Sequence, residues 1–149
     1  PKDWSEQRNS GLEAFDQALK TIELEKRYHS AMNKDVSTDV MSRAQLLVRL
    51  EEEVSRSRRL NLPTSLLVIR VDAYQKVMNQ LGLMDSEIVM RAVAKILTKH
   101  IRVNDLLGRL GPDEFGLILA HTPLSGAMIK ADRLRRTLES GDFSRVIKD

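Results

Sequence analysis

Apolar residues recur along the chain in two rhythms, and the change from one to the other marks out the elements. From 5 to about 33 the sequence is polar with a thin stripe, Leu12, Phe15, Leu19 and Ile22, spaced three, four, three. That is the seam rhythm of a coiled coil. Lys26 and His29 fall on the next seam positions, so the stripe runs for about two heptads. Two readings stay open: an amphipathic helix lying on its own domain, or a signalling helix that pairs subunits. "NKDVSTDVMSR" follows, rich in turn and cap formers, with Ser42 placed to cap "RAQLLVRLEEEVSRSRRL" as a helix. Pro63 ends that region. "SLLVIRV", from Ser65 to Val71, is a short β-branched run with one arginine and predicts a buried strand. "AYQKVMNQLG" suits a short helix closed by Gly82. "DSEIVMRAVAKILTKHI" has apolar residues at 88, 89, 92, 93, 96 and 97, one face of a longer helix. "DLLGRL" and "FGLILA" predict the two strands of a hairpin. "PLSGAMIKADRLRRTLES" predicts another helix followed by Gly141, and "FSRVIKD" the start of one more strand.

Helices and strands alternate around a central hairpin. The expected class is α/β, in an α+β sandwich-like form: a mostly antiparallel central sheet surrounded by helices, with a long N-terminal helix. The expected organisation is a helix over 1–34 and a domain over 35–149. Composition narrows the function. A net charge of +3 does not mark a nucleic-acid binder, though it leaves room for small anionic ligands. There is no cysteine, and the three histidines share no ligand spacing. No apolar run approaches the ~18 residues of a membrane span. The first residues have no signal-peptide layout. The expectation is a cytoplasmic domain with no membrane segment in this chain, either whole or cut from a larger, membrane-attached protein.

Two stretches carry candidate chemistry. "GRLGPDEFG" is a hairpin tip with a proline and two adjacent carboxylates, Asp113 and Glu114. Adjacent carboxylates can hold Mg²⁺, a hard cation that prefers oxygen. A nucleotide site would need further carboxylates from the adjacent strand, yet the polar interior position there is Arg70, with Asp72 two residues on. "RVND", Arg102 to Asp105, leads into the hairpin. Arginine suits bidentate recognition of phosphate or a guanine edge, and the aspartate can accept from guanine N–H groups. An Arg–Asp pair fastening a helix end explains the same spacing.

Together these residues resemble the GGDEF domain of diguanylate cyclases, enzymes that join two GTP molecules into cyclic di-GMP. The likeness runs from about Asp35 to Val146. The entry motif D-x-L-T-G-L-x-N-R is similar to "DVSTDVMSR", through Asp35, Thr38, Val40 and Arg43. The block D-x-D-x-F-K-x-I-N-D-x-x-G-H-x-x-G-D is similar to "RVDAYQKVMNQLGLMDSE", and the signature loop to "GPDEF". The family's inhibitory R-x-x-D motif stands five residues before that loop, as "RVND" does here.

The departures shape the expected function. The metal-binding Asp of the family is Arg70 here, so a ligand is replaced by a cation that repels Mg²⁺. The guanine-reading Asn is Met78, the guanine-reading Asp is Glu87, and a lysine of that block is Gln75. In the signature, Gly111 is kept and the second glycine is Pro112, which loses an N–H and adds a ring. Asp113 and Glu114 keep the acidic pair without its partner. The family also continues past the last helix with a strand, a hairpin and a phosphate-binding lysine. The resemblance thus implies a degenerate active site, no enzymatic activity and no Mg²⁺ or other cofactor. It also implies a retained inhibitory-type site for cyclic di-GMP at Arg102 and Asp105. Arg133, in "ADRLR", and Arg56, from the preceding helix segment, would complete that site. The expected role is a cyclic di-GMP receptor that signals to a partner or a homodimer through the N-terminal helix. The alternative is a dimerisation or docking scaffold independent of nucleotide; GTP binding without turnover ranks below both.

Overall fold

The computed structural model describes residues 4–141. The stretch "FSRVIKD" and the end of the family likeness lie outside the described residues. The chain divides into two units, Pro1–Met32 and Asn33–Asp149.

The described part of the first unit belongs to helix α1, Trp4–Asn33, whose last residue falls in the second unit. Ion pairs one turn apart, Asp16 with Lys20 at 2.8 Å and Glu23 with Arg27 at 3.0 Å, support its polar surface. The apolar stripe stays open: Leu12, Phe15, Leu19 and Ile22 are 47 to 64% exposed.

The second unit runs α2 (Arg43–Leu60), β1 (Thr64–Arg70), α3 (Ala73–Leu81), α4 (Leu83–Lys99), β2 (Leu106–Gly111), β3 (Glu114–Ala120) and α5 (Leu124–Ser140). Ser42 caps α2 as its side chain accepts from the Gln45 N–H at 3.2 Å. Asn61 ends α2 in the left-handed region, and Arg58 and Arg59 lie in its last turn, where cations complement the helix dipole. Gly82 joins α3 to α4 at φ 91°, a conformation that disfavours any side chain.

The sheet is antiparallel with strand order β1-β3-β2, so the hairpin strand β3 is central. Leu67 of β1 and Leu107 of β2 both face Leu117 of β3. The hairpin register slips between Arg109 and Gly111, a bulge that adds Leu110 to β2.

The two faces of the sheet are covered differently. One face carries the core, where Leu107, Phe115, Leu117 and Leu119 pack against Met90, Val93 and Leu97 of α4 and Leu134 of α5. The other face is narrowed by Gly108 and Gly116, and α2 lies against it through Leu46. A Cβ on either glycine would come within 2.8 Å of the Leu46 side chain. This close approach sets α2 over β2 and β3, so that the chain preceding α2 passes beside the hairpin. Met41 bridges to Gly108, and the Arg109 N–H donates to the Met41 carbonyl at 2.9 Å. Asp35, α4 and the hairpin tip therefore surround one end of the sheet.

Candidate functional site

The hairpin end holds a cavity of about 610 Å³, bordered by Asp35, Arg43, Tyr74, Glu87, Arg109 and Pro112. At its centre is a side chain to which the sequence reading gave no role. Arg109 is 9% exposed and uses all five of its donors. Nη1 and Nη2 clasp the two oxygens of Glu87 at 2.6 and 2.7 Å. Nη1 also reaches Asp35 Oδ2 at 3.2 Å, Nη2 the Pro112 carbonyl at 2.6 Å, and Nε the Gly111 carbonyl at 3.2 Å. Asp35 Oδ2 in turn accepts from the Thr38 N–H at 3.0 Å and the Thr38 hydroxyl at 2.6 Å. The Arg109 hydrogen bonds hold the Glu87 carboxyl below its ordinary range, against the opposing effect of burial. Glu87 likewise raises the Arg109 guanidinium. The sequence did carry a signal for this: a lone arginine inside an otherwise apolar hairpin strand.

The acidic pair of the tip is also engaged. Arg70 and Glu114 are directly opposite in the β1–β3 register. Arg70 Nη2 and Nε lie 2.6 and 3.2 Å from Glu114 Oε1, and Nε is 4.0 Å from Asp113. Hydrogen bonding and charge from Glu114, then the charge of Asp113, raise the Arg70 guanidinium. Arg70 was expected at an interior position. The structure places it on the exposed side of β1, because the side chains of Leu67 and Ile69 take the core face and Arg70 does not. A divalent cation at Glu114 would have to displace this guanidinium. Met78 packs partly buried against the core, and Gln75 bonds to Asn79 at 3.1 Å along α3. Among the described residues no three His, Cys, Asp or Glu side chains are grouped to hold a metal.

The second candidate lies between the end of α4 and the start of α5. Arg102 and Asp105 form a closed turn: Asp105 Oδ2 accepts from the Arg102 N–H at 2.9 Å, and the Asp105 N–H donates to the Arg102 carbonyl at 3.0 Å. The link runs through the Arg102 backbone, whereas the spacing had suggested a side-chain pair. Asp105 is buried, and the Arg102 side chain is exposed. Both border a cleft of about 70 Å³ with Leu119, Thr122, Gly126 and Lys130. Lys130, which the sequence reading passed over, donates to the His100 carbonyl. Arg133 and Arg56 are not brought into this cleft. Arg133 is exposed on α5, three residues beyond Lys130, and Arg56 is exposed on α2, 3.5 Å from Glu53.

An antiparallel sheet with helices on both faces, an acidic hairpin tip at one end of the hairpin and an Arg–Asp turn at the other define an α/β domain that gathers its polar side chains at loops. The chain matches the family model "Diguanylate cyclase, GGDEF domain" over residues 32–146, and it belongs to that family. It is 29% identical over 147 residues to diguanylate cyclase DgcP of Pseudomonas aeruginosa, covering 93% of this chain and 22% of that protein's length. Among solved structures, it superposes on the coiled coil and GGDEF domain of DgcB from Caulobacter crescentus in complex with c-di-GMP. The TM-score is 0.77 at 17% identity, over 89% of this chain and 68% of that one, a likeness of fold. It also superposes on diguanylate cyclase SiaD of P. aeruginosa in complex with its activator SiaC. There the TM-score is 0.69 at 28% identity, over 91% and 58% of the two chains. No helix among the described residues is long and apolar enough to cross a membrane.

Proposed function

We propose that this GGDEF domain is a non-catalytic receptor for cyclic di-GMP, which binds at the Arg102–Asp105 turn. The observation that carries this is the contrast between the two polar sites. At the hairpin, the side chains that would serve a nucleotide are matched internally: Glu87 by Arg109 and Glu114 by Arg70. At the turn, the Asp105 carboxylate is fixed by the backbone, while the Arg102 guanidinium stays exposed beside an open cleft. A fixed acceptor beside a free guanidinium suits a ligand with guanine N–H donors and a phosphodiester, through charge-assisted hydrogen bonds. The relative DgcB is described in complex with c-di-GMP, which gives the ligand class a precedent in the family. On this reading Mg²⁺ is not needed.

Calorimetric titration tests the proposal. Micromolar or tighter binding of cyclic di-GMP is expected, and its loss in Arg102→Ala. Absence of binding at near-millimolar ligand overturns it. Because named relatives are cyclases, the companion assay is product formation from GTP and Mg²⁺, and measurable turnover would refute the non-catalytic part. A second reading, a nucleotide-independent docking scaffold, is favoured by the open stripe of α1. Thermal stability and mass indifferent to cyclic di-GMP would select it, because a ligand of the native state raises stability by mass action.

A further inference from the structure

The Arg102–Asp105 cleft contains a second cation. Lys130 lies on α5, and its ammonium reaches across to the His100 carbonyl at the end of α4. That contact uses one of three ammonium donors, leaving two beside the cleft it shares with Arg102, Asp105 and Thr122. The arrangement is two cations and one carboxylate around a space of about 70 Å³. Such a space accepts a phosphate group and is too small for a purine base. The stem of Lys130 is only half-buried, so its head can turn toward a ligand without disturbing the core.

We infer that Lys130 is a direct contact for the ligand's phosphodiester, held across the cleft from Arg102. This rests on the cyclic di-GMP reading of the same site and adds a residue and an orientation to it. The phosphate enters between Arg102 and Lys130, and both bases stay outside the cleft, one of them on the Asp105 side.

The test is calorimetric titration of cyclic di-GMP into the wild type, Lys130→Ala and Lys130→Arg at two salt concentrations, with circular dichroism to verify folding. Lys130→Ala is expected to weaken binding about tenfold or more, the loss of one charge-assisted hydrogen bond. Its affinity should also fall less steeply with salt than the wild type's. Lys130→Arg, which keeps the cation, is expected to bind within about threefold of wild type. A purely structural lysine, satisfying the end of α4, would lower the melting temperature and leave affinity unchanged; that result overturns the inference alone. A wild type that does not bind at all overturns the receptor reading and this inference with it.

Discussion

All five donors of Arg109 are used, and they tie together the turn at Asp35, α4 through Glu87, and the hairpin carbonyls of Gly111 and Pro112. A lysine has three donors on a point charge and cannot reproduce that fork. Arg109→Met is therefore expected to cost about 1–3 kcal/mol, the penalty for leaving half-buried polar partners unsatisfied. Urea denaturation would measure it, and a change of under about 1 kcal/mol would show that the carboxylates rehydrate freely. The pH dependence follows in sign. Glu87 titrates below its ordinary value in the folded protein because Arg109 bonds its charged form. The unfolded chain then binds more protons near pH 4, so stability is fully present above that range and is lost as pH falls through the lowered pKa. Between pH 5 and pH 3 the wild type should lose more melting temperature than Glu87→Gln. Asp132, also lowered, by Arg135 first, acts in both proteins and cancels in the difference. Arg70 makes a separate prediction. With the guanidinium gone, Arg70→Asp would set a third carboxylate against Asp113 and Glu114. Millimolar Mg²⁺ or Mn²⁺ should raise the melting temperature of that variant and leave the wild type unmoved. Equal shifts in both proteins would mean that Arg70 does not guard the acidic pair. The family resemblance pointed to Glu87, and the acidic tip and the R-x-x-D spacing to Glu114 and Asp105, but none of these said what each residue bonds. Partners come from elements far apart in sequence: Arg109 and Asp35 are 74 residues apart.

Helices and strands were read more reliably than their contacts, for a physical reason. The rhythm of α4, the Ser42 cap and the glycine at 82 are local signals, and local hydrogen bonding obeys them. The slip at Leu110 had no such signal; it lies next to Arg109, which bonds the Pro112 carbonyl and Glu87, a residue far away in sequence. The seat of α2 had only an indirect one. "DLLGRL" and "FGLILA" were read as strands without a role for their glycines, and Gly108 and Gly116 sit in those paired strands, side by side in the register. Their use is to admit Leu46, which is almost wholly buried. Gly116→Ala would put a Cβ 2.7 Å from Leu46 Cδ2 and 2.9 Å from Leu110 Cδ1. Overpacking of that kind costs about 1–3 kcal/mol. The argument is specific enough for a cycle. Leu46→Ala alone leaves a cavity and is expected to destabilise by about 2–5 kcal/mol. The double variant should be more stable than the sum of the two predicts, since the shortened side chain removes the clash. Strict additivity would mean that the strands move apart instead.

The open stripe of α1 has consequences for the mass of the protein in solution. A helix of this length with Leu12, Phe15, Leu19 and Ile22 exposed is marginal by itself in water, because most helical stability in proteins comes from burying one face. The three-four-three spacing matches the seam of a coiled coil, and the occupant that best fits such a seam is the same seam on a second copy. Only about two heptads are apolar before Lys26, and short seams give weak pairs. The expected behaviour is therefore a monomer–dimer equilibrium that shifts visibly with protein concentration. Light scattering or sedimentation should show the average mass rising, and far-UV circular dichroism should show helix content rising with it. Leu19→Asp, at the middle of the seam, should hold the chain monomeric across the same range and remove the concentration dependence of the helix signal. The folded state of the second unit should be unchanged, since Leu19 lies in the first. If mass stays that of one chain at all concentrations, self-pairing is excluded. The same measurement repeated with cyclic di-GMP asks whether receptor and pairing are linked. A ligand can move the dimer equilibrium only by its difference in affinity for the two states. A shift that vanishes in both Arg102→Ala and Leu19→Asp would therefore join the cleft to the helix energetically, without requiring any contact between them.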